Sequence, residues 1–221
     1  MNQTVLITGA NRGIGLALVR EYLERGERVF AVCRNGGDEL PRSHAEIFEN
    51  VDVTDSESIN RLVRRLEDRS IDILINNAGV LESDRLPNLK FDRILKQFLV
   101  NSLGPLRITS ALLPKLGDGA KIGLITSRMG SIHDNGSGAY YGYRMSKAAL
   151  NAAGVSLARD LKGQGIAVAI LHPGFVRTEM VRGAGNVEPE IAAKQLASCL
   201  DQLDLNNSGT FWHANGEILP W

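Results

Sequence analysis

Tyr143 and Lys147 stand four residues apart in an alanine-rich stretch, a spacing that puts both on one face of an α-helix. A phenol beside an ammonium can pass a proton to or from an oxygen near neutral pH. A free phenol, with a pKa of about 10, does this poorly. Lowering it by about three units takes about 4 kcal/mol of preference for the phenolate, and one ammonium at about 4 Å in an effective dielectric of about 20 supplies that order. A nearby helix start adds a little. Tyr140 and Tyr141 are weaker candidates, because Arg144 and Met145 follow them at the same spacing. Ser127 precedes Tyr143 and carries a hydroxyl able to donate to a carbonyl oxygen and polarise it. Ser131 competes with it for that part.

Asn101 enters through the backbone. It lies four residues before Pro105, within an otherwise helical stretch. Proline has no N–H, so the Asn101 carbonyl loses its helical partner and is free to take a water. Gly104-Pro105 makes a kink there plausible.

A second group of residues suits phosphate. Thr8-Gly9-Ala10-Asn11-Arg12-Gly13-Ile14-Gly15 follows a short apolar run and opens a helical pattern. Gly9 allows a tight turn, Gly13 lets the backbone approach a pyrophosphate, and Gly15 lets helix and strand pack closely. The helix start adds free N–H groups and a partial positive charge. An NAD site places an acid at the end of the second strand, on the ribose hydroxyl. Here that region reads Val32-Cys33-Arg34-Asn35. Arg34, with Arg12 approaching from the loop, suits a 2′-phosphate by fixed charge and a fork of donors, which favours NADP over NAD.

Three further motifs complete a pattern: Asn76-Asn77-Ala78-Gly79, Tyr143-Arg144-Met145-Ser146-Lys147 and His172-Pro173-Gly174-Phe175-Val176-Arg177-Thr178. With the glycine loop they resemble the short-chain dehydrogenase/reductase family, in the right order from Thr4 to about Thr178. The stretch Ser127-Arg128-Met129-Gly130-Ser131-Ile132 and the ending Gly216-Glu217-Ile218-Leu219-Pro220-Trp221 further resemble its branch of small carbonyl reductases and C-factor-like proteins. The resemblance implies an NADP-dependent oxidoreductase moving a hydride between nicotinamide and a small carbonyl or alcohol. Tyr143 would be the general acid–base, Lys147 would lower its pKa and bind the nicotinamide ribose, Ser127 would orient the carbonyl, and Asn101 would hold a relay water. Asp52 and Val53 would contact adenine, although Asp52 could instead cap the next helix. Asn77, Ala78 and Gly79 would bend beside the adenosine ribose or support the sheet. Pro173 and Gly174 would turn the chain toward the nicotinamide, and Val176 and Thr178 would hold its carboxamide.

The elements that must position these groups alternate along the chain. Short apolar runs at 4–7, 28–32, 45–51, 71–75, 121–126, 166–171 and 210–212 read as strands. Amphipathic stretches at 14–24, 56–66 (capped by Asp55), 91–113, 143–161 and 188–203 read as helices, with a weak helix or loop after the second strand. This alternation predicts a Rossmann-like α/β fold: a doubly wound parallel sheet of about seven strands covered by helices on both faces, in one domain over 1–221. The substrate segment at about 179–188 is short and glycine-bearing, and Met129, Leu81, Tyr141 and Phe175 are candidates for an apolar pocket.

Composition excludes other classes. Lys plus Arg and Asp plus Glu are both 25, so no basic excess points to nucleic acid or an anionic membrane. The opening residues lack the basic region of a secretory leader, and no uncharged apolar run reaches the ~18 residues of a membrane span. Cys33 and Cys199 read as reduced thiols in a cytoplasmic protein. His44, His133, His172 and His213 are isolated, so no metal site is expected. Adjacent His133 and Asp134 near Ser127 cannot readily form a base-and-orienter pair, and no G-x-S-x-G elbow exists, which argues against a hydrolase. A rival is a C-factor-like signalling or redox-sensing protein that binds NADP(H) with little turnover; an epimerase or dehydratase is a further one, though such relatives carry a larger C-terminal region. Relatives often pair through the helices at 91–113 and 143–161, where Ala148, Ala149, Ala152, Ala153 and Gly154 would let helices approach, so a homodimer or homotetramer is possible.

Overall fold

The computed structural model describes residues 2–36, 39–40 and 44–221. Its strands are β1 (Thr4–Thr8), β2 (Arg28–Val32), β3 (Glu46–Phe48), β4 (Ile71–Asn76), β5 (Leu116–Ile125), β6 (Ala167–His172) and β7 (Phe211–His213). They form one parallel sheet in the order β3-β2-β1-β4-β5-β6-β7. Side chains alternate across it. Val5 and Ile7 of β1 join one core with α1 (Gly13–Glu24) and α6 (Pro189–Asp201), while Leu6 joins a second core. The second core packs against α2 (Ser56–Arg65), α4 (Gly104–Leu112) and α5 (Tyr141–Asp160). The strands are therefore buried on both faces, which is why they read as unbroken apolar runs. The chain order reverses between β1 and β4, and the crevice beyond their carboxyl ends is where such sheets bind ligands. Among the described residues no helix is long and apolar enough to cross a membrane.

The differences from expectation have local causes. β3 keeps three residues of the expected 45–51 because it is an edge strand paired to β2 alone, and Asn50 turns away at φ +61°. β5 starts at Leu116 rather than at residue 121: Leu116 pairs with Ile71, and the ladder resumes at Lys121 opposite Ile73 after a bulge. The weak helix or loop after β2 falls partly outside the described residues. Asp55 caps α2 as expected, accepting from Glu57 N and Ser58 N.

The long helix at 91–113 is interrupted. α3 (Phe91–Phe98) runs into a π turn (Leu99–Leu103) before α4 begins. Gly104 N bonds Leu99 O, five residues back, rather than Val100 O. Pro105 has no N–H to give Asn101 O. The expected kink is thus a π turn, and it deprives two consecutive carbonyls, Val100 and Asn101, of their α-helical partners.

Candidate active site

The β1–α1 turn fits against the end of β4 because Gly9 and Gly15 leave no side chain between them. A Cβ on Gly9 (φ +65°) would lie 2.8 Å from Ala78 Cα, and one on Gly15 would lie 2.1 Å from Gly9 O. Asn77 Nδ2 donates to Thr8 O (3.0 Å) and Gly9 O (3.1 Å), while Thr8 Oγ1 accepts from Asn77 N and Ala78 N. The Asn77 side chain therefore stitches the sheet's centre. Arg12 is the N-cap of α1 but makes no side-chain cap, and no acid stands in the first turn. Backbone N–H groups without a carboxylate cap, approached over Gly13 and Ile14 and flanked by the half-buried Asn11, fit a pyrophosphate.

The two arginines assigned to a 2′-phosphate lie near carboxylates. Arg12 Nη1 is 2.8 Å from Glu179 Oε2. Arg34 is exposed just past the end of β2, and its charge acts on Asp52. Burial works to raise the Asp52 pKa, but bonds from Thr54 N (2.8 Å) and Thr54 Oγ1 (2.7 Å), with Arg34, hold it below the ordinary range. Asp52 closes that turn; the helix cap is Asp55. Val53 is buried, and its Cγ2 would lie 2.8 Å from a Cβ on Gly104.

Ser127, Tyr143, Lys147 and Asn101 are all buried. β5 ends two residues before Ser127, and α5 carries Tyr143 and Lys147. Ser127 Oγ accepts from Met129 N (3.1 Å), and its side chain lies close enough to the Tyr143 phenol to favour the phenolate. Ser131, the competitor, uses its Oγ to accept from Asp134 N. Lys147 Nζ donates to Ile125 O (2.8 Å) and lies 5.7 Å from the Tyr143 ring centroid. Asn101 Nδ2 donates to Val80 O (2.8 Å) and Ser146 Oγ (3.0 Å), and its Oδ1 accepts from Val80 N (2.9 Å). Gly79 brings the two head groups to one place: a Cβ there would lie 3.4 Å from Asn101 Oδ1 and 3.9 Å from Lys147 Nζ.

Protein groups alone do not acidify the phenol, contrary to expectation. Burial pushes Tyr143 up to about 12 despite the opposing influence of Ser127, and pulls Lys147 down to about 7. The pocket that brings the pair together also strips water from both, so each is biased to its neutral form. A neutral amine offers the phenolate little.

At the end of β6, Pro173-Gly174 turns the chain, with Gly174 at φ +88°. Val176 pairs in parallel with Val187 through bonds from Val187 N to Phe175 O and from Arg177 N to Val187 O, so Val176's own N–H and C=O face the other way. Thr178 Cγ2 would be 3.2 Å from a Cβ on Gly13, which seats this segment on the glycine turn. His172 meets the ring of His213 edge to face at 4.9 Å, and burial, with the charges of His213 and Arg128, holds it down to about 3. Tyr141 and Phe175 are exposed, and Leu81 and Met129 half-buried.

Sequence reasoning missed Asp84. This buried carboxylate accepts from Tyr141 N (2.6 Å) and Gly142 N (3.0 Å), and its carbonyl from Tyr140 N (2.9 Å). It ties down the start of α5 just after Gly138, Ala139 and Tyr140, all at positive φ. Ser146 was also missed; its Oγ accepts from Asn101 and donates to Tyr143 O (2.8 Å), linking the asparagine to the helix that carries Tyr143 and Lys147. A serine inside the Tyr-x-x-x-Lys turn is the signal that could have pointed to it.

Fold and cluster together have the form of a dinucleotide-binding oxidoreductase. The family model for short chain dehydrogenases matches residues 3–188, and the chain belongs to that family. It is 40% identical to the 1-hydroxy-2-glutathionyl-2-methyl-3-butene dehydrogenase of Rhodococcus sp. (strain AD45) over 224 residues, 99% of each chain. It resembles the carbonyl reductase Sniffer of D. melanogaster with a TM-score of 0.91 and 31% identity, over the whole of both chains. With an NADPH-bound carbonyl reductase from chicken fatty liver the TM-score is 0.90 and the identity 30%, covering 100% of this chain and 99% of that one.

Proposed function

We propose that this protein is an NADP(H)-dependent oxidoreductase that interconverts a small carbonyl compound and its alcohol, with 1–221 acting as one domain. The observation that carries the reading is the burial of Ser127, Tyr143 and Lys147 in one cluster, with Lys147 Nζ 5.7 Å from the Tyr143 ring and the glycine-lined turn at the same end of the sheet. Gly9, Asn11, Gly13, Ile14 and Gly15 would hold the pyrophosphate, and Arg12 and Arg34 a 2′-phosphate. Asp52 and Val53 would meet adenine, and Ala78 and Gly79, backed by Asn77, the adenosine ribose. Tyr143 and Lys147 would hold the nicotinamide ribose, and Pro173, Gly174, Val176 and Thr178 the nicotinamide. NADP is favoured over NAD because Arg34, and no carboxylate, follows just past the end of β2. When bound, the nicotinamide supplies a hydride to the carbonyl carbon.

The chain's own groups handle the oxygen. Ser127 Oγ already accepts from Met129 N, which leaves its proton to donate to the carbonyl oxygen. Tyr143, protonated at neutral pH, gives its phenolic proton to the developing alkoxide. Lys147, near 7, can both give and take a proton to restore the phenol, and the Asn101 carbonyl would hold the relay water. Leu81, Met129, Tyr141 and Phe175 would flank a small or aromatic substrate. Cys33 and Cys199 are buried and unbridged, which suits the cytoplasm.

Pairing of two copies would use α3 and the start of α5. Phe91, Leu95 and Met145 are exposed there around a cavity of about 370 Å³. Gly154, expected at that interface, faces the sheet instead: a Cβ would lie 2.7 Å from Ile170 and 2.9 Å from Leu124.

The test follows NADPH absorbance against a panel of small aliphatic and aromatic carbonyls, with NADH in parallel. We expect NADPH-dependent turnover, and Tyr143→Phe should lower kcat by at least about 10²-fold while NADPH still binds. Substantial activity in Tyr143→Phe, or no turnover across the panel in a protein that binds NADPH, would reject the proposal.

A further inference from the structure

We infer that Glu179 is a specificity-determining residue for the cofactor, an internal anion that competes with the 2′-phosphate for Arg12. This rests on the NADP reading above. The ion pair between Arg12 and Glu179 joins the glycine turn to the segment after β6, residues 167 apart in sequence.

The backbone delivers Glu179 to this place. Thr178 is seated against Gly13, as described. Its carbonyl accepts from both Val181 N (3.2 Å) and Gly183 N (2.9 Å), closing a hook on which Glu179 is the first free side chain. The hook turns back through Arg182 and Gly183, both at positive φ, and its return limb bonds Phe175 O through Asn186 N and Val187 N. The carboxylate is therefore aimed from a fixed base rather than carried on a loose loop.

The helix starts supply an independent observation. α2, α3 and α6 carry Glu57, Asp92 and Glu190 in their first turns, and α5 receives Asp84 from a distant loop. α1 has no acid in its first turn and no side-chain cap, a condition that, α5 with its Asp84 aside, it shares among the described helices only with α4, which runs straight on from the π turn. The carboxylate that reaches its N-cap residue is Glu179, brought from across the mouth of the site. A helix start left open for a phosphate thus has a replaceable anion beside it.

Arg12 and Glu179 are 61% and 77% exposed, so the pair exchanges readily with another anion. Glu179 holds Arg12 through Nη1 alone, and a phosphate gripped end-on by Nη1 and Nη2 claims that same nitrogen. A 2′-phosphate bound in that mode displaces Glu179 from Arg12, and Glu179 weakens its binding by the worth of one exposed ion pair, about two- to fivefold. NADH has no 2′-phosphate and does not call on Arg12, so its affinity is nearly indifferent to Glu179.

The experiment measures NADPH and NADH dissociation constants by nucleotide fluorescence for the wild type, Glu179→Gln, Arg12→Gln and the double variant. Glu179→Gln should tighten NADPH about two- to fivefold and NADH little. The gain should vanish in the Arg12→Gln background, and fade as salt rises toward about 1 M. A merely structural role for Glu179 would not produce dependence on both the 2′-phosphate and Arg12. Equal tightening of both nucleotides, a gain that persists without Arg12, or no gain at all overturns the inference. If Arg12→Gln lowers NADPH affinity selectively while Glu179→Gln does nothing, the inference fails and the NADP reading stands. If the wild type prefers NADH, both fail.

Discussion

Replacing Lys147 with Met should abolish turnover and yet flatten the dependence of stability on pH. Lys147 is 4% exposed, and its pKa falls from 10.5 to about 7 because burial disfavours the ammonium. Between those values the unfolded chain binds a proton that the folded chain does not, so stability rises with pH. Below pH 7 the full difference applies, a cost of about 5 kcal/mol to the fold. At pH 7 it is still about 4 kcal/mol, and at pH 9 about 2 kcal/mol. The wild type should therefore gain about 2 kcal/mol from pH 7 to pH 9 relative to Lys147→Met, which has no such proton to lose. Methionine also gives up the bond to Ile125 O, which costs about 1–3 kcal/mol at every pH. The variant's absolute advantage at pH 7 is thus smaller than the ammonium's penalty, but the slope is unaffected by that loss. Urea unfolding at the two pH values reads the slope. Parallel pH dependence in the two proteins would show that the buried ammonium is not strained, and would remove the reason for placing its pKa near neutrality.

Asp84→Ala should cost about 1–3 kcal/mol in urea unfolding, because Tyr141 N and Gly142 N lose their acceptor, and should lower kcat with it. Asp84→Asn, which keeps one acceptor, should restore much of both; if it behaves as badly as alanine, charge rather than acceptance holds the helix. Pro105→Ala should supply the N–H that the Asn101 carbonyl lacks and lower kcat at least about tenfold with little loss of stability. An unchanged kcat with the α-helical register restored in a crystal structure would remove that carbonyl from the relay.

Much of this was legible from residue type and spacing, and the failures share a physical origin. Val5-Leu6-Ile7 could be read as a strand because burial on both faces leaves no polar positions. β3 could not be measured from the same signal, since its length is set by a single neighbour at the sheet edge. The extra pair at Leu116 was hidden behind Gly117 and Gly119, residues that read as loop and serve here as a bulge. Choosing Ser127 over Ser131 needed their contacts: one meets Tyr143 and the other closes a turn at Asp134. Asp84 reaches α5 across 57 residues of sequence, and a single acid in a polar loop carries no periodicity to announce it. The Tyr143–Lys147 spacing predicted proximity but not solvent. Coulomb attraction depends on both groups being charged, and desolvation, visible only in the folded pocket, works against each charge.

Asn101 shows why side chain and backbone must be weighed separately at such a site. Its amide is spent: the backbone N–H and C=O of Val80 and the Ser146 hydroxyl account for it, and it is completely buried. Through Ser146 it is one bond from the Tyr143 carbonyl, so its amide secures the segment after β4 to the helix that carries the phenol. The group left for chemistry is the peptide oxygen, and Asn101 does not itself make that oxygen available. Pro105 does so by having no hydrogen to offer, while Gly104, by bonding Leu99 O, opens the π turn and frees the neighbouring Val100 oxygen. A change at position 101 must therefore disturb the scaffold whatever becomes of the relay, whereas a change at 105 reaches the carbonyl while leaving the amide's bonds in place. The residue that names the relay is not the one through which it can be tested.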